Sequence, residues 1–215
     1  MANKTWYLEN VREIAKERPY TFYVPSDELI KMLKVGDVVK LIFVNTEQQE
    51  NNPFDSERIW VEITQIDGND FVGLLDNKPF IIQDLNLGDE VSFQACHIID
   101  WYDDELIDPV PPLDNYWDRC YTTWAILQDK TESINYIYRT KPENDEDSGW
   151  KILSGNETQE YIKGEHCVQF VALGCLLNID DSFIHVLSSD IGTAFKRNEQ
   201  GEWIQVDFEC ETKLL

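Results

Sequence analysis

Apolar and polar residues alternate in short runs along this chain, and the alternation predicts more strand than helix. The stretch VVKLIFV (38–44) is β-branched and apolar and reads as a strand. RIWVEITQI (58–66) and DFVGLLD (70–76) flank Asp67-Gly68-Asn69, the signature of a hairpin. DEVSFQACHIIDW (89–101) follows Gly88 as a further strand. Residues 5–17 read as a helix that ends ahead of Pro19, and TFYV (21–24) as a short strand. Pro25 and Ser26 open a second helix, with Ser26 as N-cap and Asp27 and Glu28 in the first turn. Lys31 and Lys34 fall near its end and Gly36 just beyond, where a left-handed exit suits glycine. NTEQQENNPFDSE (45–57) is polar and reads as a mobile loop.

In the second half, YTTWAILQ (121–128) and INYIYRT (134–140) read as a hairpin joined across 129–133. Asp147-Ser148-Gly149-Trp150 reads as a turn that delivers Trp150 into the core. Ser154-Gly155-Asn156-Glu157 has the form of a capping box, which would start a short helix over ETQEYIK that ends at Gly164. Residues 198–201 turn between TAFKR and EWIQV. Between the halves, YDDELIDPVPPLDNYWD (102–118) breaks the pattern: Pro109, Pro111 and Pro112 oppose regular structure, and six carboxylates crowd the segment. It reads as an acidic linker that packs through Tyr102, Tyr116 and Trp117. The expected organisation is an N-terminal domain over 1–101, a bridge over 102–119 and a second domain over 120–215. The fold class is α+β, with two small domains that are each a mainly antiparallel twisted sheet carrying one or two short helices.

Composition narrows the partners. The 215 residues are 42% hydrophobic and include seven Trp, enough for real cores. Against 18 basic residues stand 41 acidic ones, for a net charge of −23 at pH 7. Such a chain repels nucleic acid and anionic membrane and attracts basic proteins. The N-terminal stretch lacks the apolar core of a signal peptide, and no run approaches the roughly 18 apolar residues of a spanning helix. The expected location is the cytoplasm. Cys96, Cys120, Cys167, Cys175 and Cys210 are odd in number and form no Cys-x-x-Cys, so they are expected as free thiols.

Candidate chemistry is sparse. Ser148 as a nucleophile would need a base and lacks the G-x-S-x-G elbow, and no signature surrounds His97, His166 or His185. ENDED (143–147) is rich in oxygen ligands but lacks the calcium-loop register, and His166-Cys167 has no second ligand pair at zinc spacing. With 41 acids, paired carboxylates carry no information about hydrolysis. There is no phosphate loop and no dinucleotide fingerprint. No catalytic residue, metal or cofactor is therefore assigned. Trp60, Trp101, Trp124, Trp150 and Trp203 lie in or beside predicted strands and are expected in the cores. Tyr102, Tyr116 and Trp117 lie among carboxylates in the Pro-rich segment, which suits a protein-binding surface as well as simple linker packing.

Two stretches resemble known families. YIYRTKPENDEDSGWKILSGNETQEY (136–161), NIDDSFIHVL (178–187) and IGTAFKRNEQGEW (191–203) are similar to a bacterial domain assigned to the immunity proteins of polymorphic toxin systems. VGDVVKLIF (35–43), RIWVEITQIDGNDFVGLLDNKP (58–79) and LGDEVSFQACHIIDW (87–101) resemble a small bacterial domain of unassigned function. The resemblance implies a non-enzymatic protein that neutralises a toxin by stoichiometric binding, and neither family supplies a catalytic residue. Candidate contacts for a basic partner are Asp103, Asp104, Glu105, Asp108, Tyr116, Trp117, Asp118, Glu143, Asp145 and Glu146. Asp147, Ser148, Gly149, Trp150, Ser154, Gly155 and Glu157 are assigned mainly to the fold. Rival readings are a regulatory or small-ligand-binding module, an enzyme with a cleft, and a nucleic-acid mimic.

Overall fold

A computed structural model describes residues 4–46, 55–103, 105–110, 116–128 and 131–208. The chain divides into two units, Met1–Leu113 and Asp114–Leu215, each built on its own sheet. Both are mainly antiparallel with short helices, the α+β class expected from the pattern.

In the first unit the strands are β1 (Trp6–Leu8), β2 (Val38–Asn45), β3 (Ser56–Asp67), β4 (Asp70–Leu75), β5 (Glu90–Gln94) and β6 (Ile98–Trp101). The helices are α1 (Val11–Glu17) and α2 (Asp27–Ile30). Pairing runs β1-β2-β3-β4-β5, and β6 also pairs with β2. The single strand expected over 89–101 is thus two strands. A 3₁₀ turn at Ala95–His97 carries the chain from β4's edge to β2's, so the sheet curls back on itself. The break is local chemistry: the Gln94 N–H donates to His97 Nδ1 at 2.9 Å, which the extended ladder would not allow. Along β3, Ile59, Val61 and Ile63 are buried while the residues between them are not, the period of two of a half-buried strand. They join Val39, Leu41 and Phe43 of β2, Phe71, Val91 and Phe93, and Leu29 and Ile30 of α2 in one core.

The hairpin forms as expected, with Asp67 opposite Asp70 and Gly68 at φ +60°. Ser26 caps α2 by accepting from the Leu29 N–H at 3.0 Å, although the helix lasts one turn only. The helix expected over 5–17 starts at Val11. Trp6 instead packs on Phe43, with ring centroids 5.0 Å apart, and that contact draws residues 6–8 into the sheet. No strand forms over 21–24, because the N–H groups of Thr21 and Phe22 donate back to the Arg18 carbonyl. Most of the loop expected over 45–57 lies outside the described residues.

The second unit contains β7 (Arg119–Thr123), α3 (Trp124–Leu127), β8 (Tyr136–Arg139), β9 (Asp147–Leu153), α4 (Gln159–Ile162), β10 (Val168–Ala172) and α5 (Leu173–Leu177). A 3₁₀ turn at Ile184–Val186 precedes β11 (Ala194–Arg197) and β12 (Trp203–Val206). The sheet order is β10-β7-β9-β8-β11-β12, with β7 and β9 parallel. The hairpin expected between 121–128 and 134–140 therefore does not form. β9 lies between β7 and β8, and 124–127 is helical. All seven residues of β9 are buried, so it takes the interior of the sheet, where both edges are paired and both faces covered. Residues 147–150 belong to this strand and are not a turn, yet Trp150 does reach the core at 1% exposure. Core packing fails for Trp124, which is 41% exposed, and Trp60, Trp101 and Trp203 are only half-buried. β10 and α5 lie in a stretch that shows neither period, because apolar residues continue through it with Gln169 as the polar exception. The turn over 198–201 forms, with Arg197 opposite Trp203.

The expected capping box is half present. Glu157 accepts from the Ser154 and Gly155 N–H groups at 2.7 and 2.9 Å. Ser154 is not the helix cap: Gly155 at φ +82° cannot begin a helix, and Thr158 caps α4 through the Tyr161 N–H instead. Among the described residues no helix is long and apolar enough to cross a membrane.

Candidate functional site

The acidic bridge is held down at both of its described ends. Tyr102 continues the β6 ladder by donating to the Val38 carbonyl, and the Trp101 indole N–H donates to the carbonyls of Asp103 and Leu106. The Asp108 carboxylate accepts from the Ser26 N–H at 2.7 Å, the Ser26 hydroxyl at 2.5 Å and the Val110 N–H at 2.9 Å. Burial raises its pKa, but the Ser26 and Val110 bonds and the Arg12 charge outweigh that and leave it lowered. Three donors thus occupy the Asp108 carboxylate, and its work is to strap 102–110 onto the first unit. Asp103 accepts from the Glu105 N–H and both side chains face solvent, while Asp104 lies outside the described residues.

Past the undescribed stretch 111–115, the chain belongs to the second unit. The Tyr116 and Asp118 carbonyls accept from the Gly174 and Leu173 N–H groups of α5. Trp117 is 54% exposed and Asp118 is exposed. The next residue, Arg119, opens β7 and pairs with Asp147 at the start of β9. Its N–H donates to the Glu146 carbonyl at 2.7 Å, and its guanidinium meets the Glu146 carboxylate at 3.3 Å. Asp118 thus directly precedes the residue that grips the loop carrying Glu143, Asp145 and Glu146, with Trp117 one residue further back. All three of those carboxylates are exposed. Asp103, Glu105 and Asp108 are part of the other unit.

Beneath this rim lies a buried ionic pair. Lys151 Nζ approaches Asp147 Oδ2 at 3.4 Å, with both side chains at most 2% exposed. Asp147 also accepts from the Gly149 N–H at 2.8 Å and the Glu143 N–H at 3.0 Å, so it fixes the loop from inside. Lys151 Nζ sits 4.2 Å from the centre of the Tyr121 ring. The Tyr121 hydroxyl donates to Glu143 at 3.2 Å, and burial, that bond and the nearby carboxylates raise its pKa. Arg139 donates to the Ser148 and Ser189 carbonyls and lies over Trp150. Lys151 escaped the sequence reading, although its spacing of four from Asp147 inside an apolar run was a usable signal. Two residues on one side of a strand and four apart share a face.

This arrangement positions carboxylates and holds the Ser148 hydroxyl inside the fold. Ser148 is 8% exposed, and its hydroxyl donates to the Arg119 carbonyl at 2.7 Å and accepts from the Trp150 N–H. No group of three His, Cys, Asp or Glu side chains among the described residues could hold a metal. Cys96, Cys120, Cys167 and Cys175 are free thiols, and burial raises the pKa of Cys120.

The acidic loop at 143–146, the buried pair and the Ser154–Glu157 turn all fall inside one recognisable sequence. Residues 120–207 match the Immunity protein Imm33 domain. The Imm33 match spans every strand of the second unit except the first residue of β7. Residues 16–105 match a family described as an uncharacterized protein conserved in bacteria, DUF2314, so α2, β2 to β6 and the last two residues of α1 carry that match. No curated protein and no solved structure matches the chain.

Proposed function

We propose that this chain is an immunity protein that neutralises a basic toxin domain by stoichiometric binding in the cytoplasm, without catalysis, metal or cofactor. The observation that carries the reading is the Imm33 match over 120–207, with an exposed acidic loop mounted inside it on buried strands. The proposed contact surface is Trp117, Asp118, Glu143, Asp145 and Glu146, with Tyr116 behind it. Asp103, Asp104 and Glu105 form a second acidic stretch. Charge complementarity of this kind raises association rates to about 10⁸–10⁹ M⁻¹s⁻¹ at low salt. A net charge of −23 supplies the long-range attraction, and the exposed Trp117 supplies an apolar anchor of the type that dominates interface energy.

The test uses the product of the reading frame adjacent to this gene. Co-expression should protect cells from it, and calorimetry should give one immunity chain per toxin domain. Glu143→Gln, Asp145→Asn and Glu146→Gln together should slow association without altering the melting of the protein. Failure to protect, with no heat of binding at low salt, would sink the proposal.

A further inference from the structure

We infer that the first unit holds a binding site for a small organic anion, in a cavity of about 500 Å³ where α1 and α2 meet the β3–β4 turn and the start of the 3₁₀ turn. The volume lies within the range of small-molecule sites, roughly 300–1,000 Å³. Its charge sets it apart from the rest of the molecule. Arg12 and Lys31 both line it against the single carboxylate of Asp27, in a chain where acids outnumber bases 41 to 18. The balance of the lining is therefore positive on a strongly negative protein.

Arg12 is engaged through charge more than through hydrogen bonds: it pairs with Asp27 and its charge also reaches Asp108. Its Nη2 is buried and lies 3.1 Å from Asp27 Oδ1, but it makes no hydrogen bond among the described residues. The Asp27 side chain is 78% exposed, so water screens that pair and a better-placed anion can displace it. A guanidinium presents its donors as a planar fork that matches carboxylate or phosphate. The far wall is held rigidly. The Ala95 N–H donates to the Asn69 carbonyl at 3.0 Å, and the Gln94 amide donates to Asp70 at 2.8 Å. Ile30, only 6% exposed, and Ala95 give the cavity an apolar side. Arg12 and Lys31 would take the anionic head, and Ile30 and Ala95 a compact apolar body. This site rests on the first unit alone and stands whichever way the toxin experiment falls.

The test titrates the isotope-labelled full chain with benzoate, phenyl phosphate and inorganic phosphate, read by amide and Arg Nε–H shifts. Benzoate or phenyl phosphate should give saturable shifts confined to the cavity lining, at Arg12, at Asp27, Ile30 and Lys31 of α2, and from Asn69 and Gln94 to Cys96. The better of the two names the head group. Arg12→Gln should weaken that probe by about tenfold, the effect of one charge-assisted bond. Lys31→Gln should weaken it too, and Asp27→Asn should tighten it because the competing carboxylate is gone. The gain in Asp27→Asn cannot arise from damage to the fold. Shifts that do not saturate, an unchanged affinity in Arg12→Gln, or equal affinity for inorganic phosphate would overturn the inference.

Discussion

Gly149 shows how narrowly single residues are specified in the second unit. It takes φ +82° within β9, and a Cβ there would lie 2.3 Å from the Thr140 carbonyl oxygen. Gly149→Ala should cost at least ~2 kcal/mol in urea unfolding, from the left-handed backbone and the clash together. Lys151 is the second such residue. Replacing it by Met leaves Asp147 buried and charged, so a loss of about 3–5 kcal/mol is expected. The further change Asp147→Asn should return part of that loss, which a double-mutant cycle would measure. His97 carries a pH dependence. Burial lowers its pKa below the ordinary 6.5, outweighing the Glu9 charge, and its neutral Nδ1 accepts from Gln94. The unfolded chain then binds the proton more readily. The contribution of His97 to stability is whole above pH 6.5 and fades as pH falls through the folded value. Wild type should lose stability on acidification relative to His97→Gln, measured by paired melts. Ser26 as a cap was legible because capping is decided within three residues. The Lys151–Asp147 pair is hidden in the sequence, because Asp-Ser-Gly-Trp has the composition of a turn and a turn has no faces.

At the level of elements, the strand-forming runs of the first unit were legible, since a half-buried strand writes its period of two into the sequence. What period cannot show is which strand lies between two others. β7 and β8 read as a hairpin because they are consecutive, while β9, apolar on both faces, takes the interior position between them. The break at 95–97 was hidden likewise, because a 3₁₀ turn of Ala, Cys and His offers no proline or glycine to announce it. The stretch 102–118 reads as a linker from Pro109, Pro111 and Pro112, yet Asp108 ties its first part to the α2 cap. Asp108→Asn and Ser26→Ala should each destabilise the first unit by ~1 kcal/mol, and together by less than the sum. The folded pKa of Asp108 is held below 3.8, so its contribution is present above that value and disappears as pH drops through the folded one. In paired melts Asp108→Asn should converge on wild type as pH falls through that folded value, whereas Ser26→Ala should keep the part of its deficit that comes from the lost Leu29 cap.

For the whole molecule, the excess of 41 acidic over 18 basic residues was plain from composition, and it sets how the protein meets others more than how it folds. Which acids are available needed the structure: Asp108 and Asp147 are committed internally, while Glu143, Asp145 and Glu146 face solvent. Association with a basic toxin domain should therefore slow steeply with added salt while dissociation changes little, a contrast that stopped-flow mixing resolves. The strand order of the second sheet also bears on synthesis. β7 is made first but finds its neighbours only when β9 and β10 have been made, and β11, near the end of the chain, completes the pairing of β8. A ribosome must release every strand from β7 to β11 before this sheet can close. Any partner that reads this sheet must therefore meet chains that already carry β11, because shorter ones leave β8 without its second neighbour.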